Sequence, residues 1–385
     1  HDALPICMGL QKAKSLLKVK GEDTFLDLIV RQVKHLRSIS GTPVRLLLMN
    51  SFSTSADTLA YLEKYAADGF ADRAEVELLQ NRVPKILADS LSPASCPEQP
   101  ELEWCPPGHG DLYPALLGSG WLDRLLEDGV KYAFVSNSDN LGAQLDMNFL
   151  RWFAESGAPF VMEVTRRTEA DRKGGHLAVR KSDGQLILRE VAQCPDEDIP
   201  EFQNISRHRY FNTNTLWIRL DALKEILDAN GGVLPLPMIR NKKTLNPRDP
   251  ESAPVYQLET AMGAGIECFP GARAVNVPRS RFFPVKTTSD LFLLRSDAIA
   301  VDEHGNVALA PERQGNTPVV DLDSKLYKLV DSLDGLGLPS LIGMDKLTLR
   351  GRFHFQDGAV LRGTLLMEND SDETKEILPG VYAGA

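Results

Sequence analysis

Asp139 is the one carboxylate in the polar loop Ser136-Asn137-Ser138-Asp139-Asn140, which follows the apolar run Tyr132-Ala133-Phe134-Val135. A phosphate-bound Mg²⁺ takes one or two carboxylates from the protein, so Asp139 is the natural ligand in such a loop. His109 stands between Gly108 and Gly110, after Pro106-Pro107. The prolines stiffen the approach, and the glycines let the backbone come close to a ligand. Arg279, Arg281 and Lys286 are threaded among Phe282, Phe283 and Pro284, which suits a loop facing an anion better than a helix face does. Each feature also has a plain reading: a strand end with its turn, a structural histidine, and a solvated basic face. Convergence of the three would decide between them.

The patterns of covalent, zinc and dinucleotide chemistry are missing. The chain contains no G-x-S-x-G, H-E-x-x-H, Walker A or G-x-G-x-x-G sequence. Its five cysteines, Cys7, Cys96, Cys105, Cys194 and Cys268, are scattered with no C-x₂-C pair. That fits free thiols in a reducing cytoplasm, although Cys96 and Cys105 are near enough in sequence to touch. With 385 residues, 43% apolar and 25% charged, the chain has the length and composition of a large globular domain with a smaller companion. A net charge of −10 argues against nucleic acid or an anionic membrane as partner. No apolar run approaches the ~18 residues that span a bilayer, and the N-terminus lacks the pattern of a secretory signal.

The elements that would position these residues alternate between strand and helix. Phe25, Leu28, Ile29, Val33 and Leu36 fall at helical spacing behind Thr24, a suitable N-cap. Residues 44–49 read as a strand, 58–65 as a short helix, and 78–81 as a strand end. The 131–142 stretch begins with a strand buried on both faces, and ligands in open α/β sheets bind beyond the carboxyl ends of such strands. Helix 145–153 and strand 160–164 follow, then a hairpin of 177–180 and 186–191 around Ser182-Asp183-Gly184. Residues 211–218 form a strand with Asn212 and Asn214 on one face. Asp221 caps a helix over 223–227, and 257–266 reads as a small-residue helix. A composition shift at 302–318 marks a boundary. The tail at 346–367 is either a hairpin with an Asp-Gly turn or a short β-helix. A β-helix of so few coils would leave an open end through which copies could associate.

Taken together, the segments resemble the eukaryotic-type UDP-glucose pyrophosphorylases (UTP–glucose-1-phosphate uridylyltransferases). The matching pieces are Met8-Gly9 with Lys12-Ala13-Lys14-Ser15, FLDLIVRQV at 25–33, Gln80-Asn81 with Pro84, PPGHGD at 106–111, NSDNLG at 137–142, FNTN at 211–214, QLETAMGAGI at 257–266 and RSRFFPVKTTSDL at 279–291. The resemblance implies an α/β fold with a GT-A-like, Rossmann-type mixed sheet flanked by helices. It divides the chain into a catalytic domain over 1–305, a linker over 306–320 and a small C-terminal β-helix over 321–385.

It also implies residue roles. Gln80 would contact uracil, Gly108 the nucleoside, and His109 the sugar and phosphate, with Met8 and Gly9 also on the substrate side. Asn137 and Asp139 would face ribose, phosphate and the Mg²⁺. Gly175, Glu190, Asn212 and Asn214 would line the glucose pocket, while Lys14 and Lys286 neutralise phosphates. The partners implied are UTP, glucose 1-phosphate, UDP-glucose and pyrophosphate. Such a reaction explains the missing motifs. Glucose 1-phosphate is already an anionic nucleophile, so in-line attack on the α-phosphate of UTP needs positioning and charge neutralisation rather than a base.

One departure stands out. The family has a glycine-rich Leu-Asn-Gly-Gly-Leu-Gly-Thr phosphate cradle directly before Met8-Gly9, where this chain has His1-Asp2-Ala3-Leu4-Pro5-Ile6-Cys7. Pro5 has no amide to offer a phosphate. The expectation is a chain truncated at its N-terminus, whose activity is in question. The alternatives are a pyrophosphorylase for another sugar 1-phosphate and a folded nucleotide-sugar-binding remnant without activity.

Overall fold

Thr24 and Asp27 start the first long helix. The Thr24 side chain accepts the Asp27 N–H and the Asp27 carboxylate accepts the Thr24 N–H, a reciprocal cap. The helix, Phe25–Ser40, buries Phe25, Leu26, Leu28, Val30 and Val33, and stops where Gly41 turns left-handed at φ 62°. In this computed structural model the described residues are 8, 12–247 and 249–384. The expectations for residues 1–7 and for Gly9 lie outside them.

The central sheet is mixed. Its strands are β3 (Tyr132–Val135), β4 (Phe160–Arg166), β5 (His176–Val179), β6 (Leu186–Arg189), β7 (Tyr210–Arg219) and β10 (Arg273–Asn276), and a separate pair, β1 (Leu48–Asn50) and β2 (Glu77–Leu79), lies parallel. The order is β6-β5-β7-β4-β10, with β3 also on β7. β4 is buried from Phe160 to Thr165, and β10 runs parallel to it while β7 runs antiparallel. In β7 the register slips between Asn212 and Thr215, so Thr213 and Asn214 bulge out of the ladder. The strand expected over 44–49 is shorter and shifted, as Leu48–Asn50. Among the described residues β1 pairs with β2 alone and β3 with β7 alone. An apolar cavity of about 720 Å³, lined by Leu46, Leu48, Met49, Ala133 and Val135 among others, lies between them.

Two expected elements are corrected. Residues 257–266 are not a helix: β9 (Pro254–Thr260) pairs residue for residue with β8 (Met238–Thr244), and a 3₁₀ turn covers Met262–Glu267. Gly263 and Gly265 each weaken a helix by ~1 kcal/mol. Here they allow close approach instead, since a Cβ on Gly263 would lie 2.6 Å from Asn212 Nδ2 and one on Gly265 2.5 Å from the Tyr113 hydroxyl. Asp221 does not cap its helix. The helix is Leu220–Ala229 with Arg219 at the N-cap position, and Asp221 in the first turn holds the Arg219 guanidinium.

The tail is a parallel coil rather than a hairpin. β11 (Val319–Asp321), β12 (Ser340–Arg350), β14 (Ala359–Glu368) and β16 (Gly380–Ala383) stack parallel in that order, and β13 (Phe353–Phe355) pairs parallel with β15 (Lys375–Ile377). Leu341, Met344, Leu347, Phe353 and Leu361 fill its interior and join one apolar cluster with Leu28 and Phe292. Cys96, Cys105, Cys194 and Cys268 are free thiols. No helix among the described residues is long and apolar enough to cross a membrane.

Candidate functional site

β3 delivers the polar loop as the sequence pattern predicts, and Lys14 meets it there. Lys14 Nζ lies 2.5 Å from Asp139 Oδ2, with both side chains largely shielded from water. The other carboxylate oxygen, Asp139 Oδ1, is buried without a hydrogen-bond partner among the described residues, and so is Asn137 Oδ1. An unmatched carboxylate oxygen fits a hard divalent cation whose remaining ligands are phosphate oxygens and water. Among the described residues no cluster of three or more His, Cys, Asp or Glu could hold a metal unaided.

A second wall is the 106–111 loop. Gly108 sits at φ 81°, ψ 173°, and a Cβ there would lie 2.6 Å from the Thr260 carbonyl oxygen. The loop can therefore pack against the end of β9 only with glycine at that position. His109 Nδ1 accepts the Met262 N–H at 2.9 Å, which leaves the ring hydrogen on Nε2. Close packing pushes the imidazole down to about 4, although part of the ring remains accessible; it is neutral at pH 7. Gln80 follows β2, its N–H bonded to the Asn50 carbonyl. Its side chain is buried, and neither Nε2 nor Oε1 has a partner among the described residues. A buried amide with donor and acceptor both unmatched suits the imide edge of a pyrimidine. Sequence reasoning missed Asp111, which holds Asn81 through both the backbone N–H and the side-chain amide and so ties this loop to Gln80.

The third wall uses the bulge in β7. Asn214 adopts φ 57°, a left-handed conformation asparagine tolerates better than most residues. There it locks to Asn212: Asn212 Nδ2 donates to Asn214 Oδ1 at 2.8 Å and the Asn214 N–H returns to Asn212 Oδ1 at 2.9 Å. Asn212 N–H also reaches the Gly175 carbonyl, and a Cβ on Gly175 would lie 2.4 Å from a Glu190 carboxylate oxygen. Withdrawal from water pushes the Glu190 carboxyl up to about 7, against the opposing pull of Lys286 nearby. Gly175, Glu190, Asn212, Asn214 and Lys286 thus gather in one region. The bulge itself carries no signal in the sequence beyond the two asparagines.

The basic segment is corrected in part. Arg279 forms an ion pair with Asp171, and Arg281 is held by Glu163, so the charge of each is already matched within the protein. Lys286 remains exposed, 5.6 Å from the Phe211 ring centre, with no ion pair among the described residues. It precedes Thr287, the N-cap of helix Thr288–Arg295, and its own N–H donates to Asp290. Met8 is a core residue, 2% exposed.

A lysine-paired aspartate after β3, a buried amide after β2 and a pair of asparagines in the β7 bulge, carried on an α/β scaffold, suit an enzyme of the nucleotidyltransferase class. The comparisons agree. The family model for UTP–glucose-1-phosphate uridylyltransferase matches residues 4–362. The UTP–glucose-1-phosphate uridylyltransferase of Saccharomyces cerevisiae is 44% identical over 370 residues, covering 95% of this chain and 72% of its own length. That of Solanum tuberosum is 40% identical over 383 residues, covering 99% and 78%. A UDP-glucose pyrophosphorylase variant from Leishmania major, solved in complex with UDP-glucose, superposes with a TM-score of 0.92 at 46% identity, covering 99% of this chain and 84% of that one. The chain belongs to the UTP–glucose-1-phosphate uridylyltransferase family.

Proposed function

We propose that the protein makes UDP-glucose and pyrophosphate from UTP and glucose 1-phosphate by direct in-line attack on the α-phosphate. The observation that carries this reading furthest is a group of buried polar atoms, on Gln80, Asn137 and Asp139, without partners among the described residues. They lie on a scaffold whose family and fold already mark a nucleotidyltransferase. Gln80 reads uracil through its paired donor and acceptor, beside the loop of Gly108 and His109. Asn212, Asn214 and Glu190 take the hydroxyls of glucose over Gly175. Lys14 and Lys286 offset phosphate charge, and the family resemblance assigns Met8 and Gly9 to the substrate side. Asp139 would hold Mg²⁺, which when bound neutralises phosphate charge and orients the polyanion.

No residue need act as a base. Binding two polyanions in line supplies the positioning, and Lys286, next to Glu190, supplies fixed charge as pyrophosphate departs. Losing one such contact lowers the rate by ~10²–10³. Lys286→Ala is therefore expected to cut UTP- and Mg²⁺-dependent UDP-glucose formation by that factor, and full activity in the variant would sink the assignment. A panel with galactose 1-phosphate and N-acetylglucosamine 1-phosphate tests sugar choice; glucose 1-phosphate is expected to give the highest kcat/KM.

The alternative is binding of UDP-glucose without turnover. Calorimetry with UDP-glucose beside a turnover assay separates the two. We assign catalysis to residues 1–305, connection to 306–320 and the β-helix to 321–385. Exposed Leu378 and Val381 at the last coil support association of copies through that end, and the free thiols support a cytoplasmic location.

A further inference from the structure

Asp139 and Lys286 lie on separate segments, 136–142 and 279–286, and the two segments are joined at several points. The Val285 N–H donates to the Asp139 carbonyl at 3.1 Å, and Asn140 pairs with Pro284 as an isolated antiparallel bridge. The Asn140 side chain closes the rest of the seam. Its Oδ1 accepts the Phe283 N–H at 2.8 Å, and its Nδ2 donates to the Arg281 carbonyl at 3.3 Å. Gly142 sits so close that a Cβ there would lie 2.8 Å from the Ser280 carbonyl oxygen. Behind the seam Arg281 is fixed by two 2.7 Å bonds to the fully buried Glu163 and by a third to the Gln144 carbonyl.

Asn140 is 3% exposed and both ends of its amide are matched to backbone of the opposite segment. Its chemistry is therefore directed at the segment that carries Lys286. A bidentate amide between two loops fixes their spacing and register in a way one backbone bond cannot. We infer that Asn140 is a positioning residue that sets the placement of Lys286 relative to Asp139, so that fixed positive charge and the metal-binding carboxylate address the same polyphosphate. This rests on the proposed roles of those two residues. Asn140 touches no substrate, and its influence on rate passes through Lys286.

The test is a double-mutant cycle on kcat with Asn140→Ala, Lys286→Ala and the double variant, with UDP-glucose binding and thermal melting recorded for each. Asn140→Ala is expected to lower kcat by about tenfold with the KM for UTP changed less than about threefold, since a misplaced charge is felt mainly in the transition state. In the Lys286→Ala background the same substitution is expected to cost less than about twofold, because the group it positions is gone. An equal loss in both backgrounds, or no loss in the wild-type background, would overturn the inference. Lys286→Ala with wild-type activity would instead refute the role of Lys286 and remove the premise. Asn140→Asp covers the case in which Asn140→Ala melts early. It keeps the shape and the acceptor for Phe283 while turning the donor facing Arg281 into an oxygen, and the same non-additivity is expected of it.

Discussion

Gly108→Ala tests whether the 106–111 loop is held against β9 as described. Gly108 lies at φ 81°, ψ 173°, a region essentially confined to glycine, and forcing another residue there costs ~1–3 kcal/mol. The added Cβ would also lie 2.6 Å from the Thr260 carbonyl oxygen and 2.9 Å from Glu259 Cβ. Thr260 cannot easily retreat, because its N–H is bound to the Pro107 carbonyl at 2.9 Å and its backbone pairs with Met238. Overpacking of this kind costs a further ~1–3 kcal/mol. The sum, about 2–6 kcal/mol, is a large part of the ~5–15 kcal/mol that holds a domain folded. Where the loop shifts to relieve the clash, the His109–Met262 bond opens and activity falls with stability. Urea unfolding followed by tryptophan fluorescence measures the loss. Gly118→Ala is the control: it ends helix Leu112–Gly118 with nothing within 4 Å of the new Cβ, and is expected to be neutral or stabilising by up to ~1 kcal/mol. Equal unfolding midpoints for the two variants would refute the close-approach argument.

Other predictions concern charge. With its carboxyl pushed up to about 7 by withdrawal from water, Glu190 is protonated in the free protein below that pH and is a weaker acceptor for sugar hydroxyls. The affinity for glucose 1-phosphate is expected to rise between about pH 6 and 8, and a kcat/KM profile should lose that limb in Glu190→Gln. The same group affects stability in the opposite sense. Its folded pKa is raised, so its contribution is present below the unfolded value of ~4.3 and lost as pH rises through about 7. Glu190→Gln should therefore flatten the denaturation midpoint across that window, and an unchanged slope would contradict it. Arg281→Ala leaves the fully buried Glu163 with Trp217 Nε1 as its one side-chain donor among the described residues. A loss of ~3–5 kcal/mol in chemical denaturation is expected, and under 1 kcal/mol would contradict it. Chelation of divalent metal should abolish turnover while leaving the melting temperature of the free protein unchanged.

Local signals were readable where the chain satisfies itself over a few residues. Thr24 marked a helix start, the Ser182-Asp183-Gly184 turn marked a hairpin between β5 and β6, and the run 132–135 followed by polar residues marked a strand end that bears the candidate site. The errors came where distant packing decides. Residues 257–266 carry helix-like spacing, yet the β8 ladder and the close approaches at Gly263 and Gly265 make them a strand and a turn. Arg279 and Arg281 looked like anion ligands because their partners, Asp171 and Glu163, lie over a hundred residues away in sequence. The left-handed Asn214 is likewise a property of the assembled sheet, which no short window contains, whereas the parallel coil of the tail agrees with the β-helix that the resemblance implies.

The most direct test of the account is pyrophosphate release by this chain supplied with UTP, glucose 1-phosphate and Mg²⁺. The account predicts sustained turnover that needs all three components and yields UDP-glucose in equal amount. Tight binding of UDP-glucose with no pyrophosphate released under those conditions would contradict it.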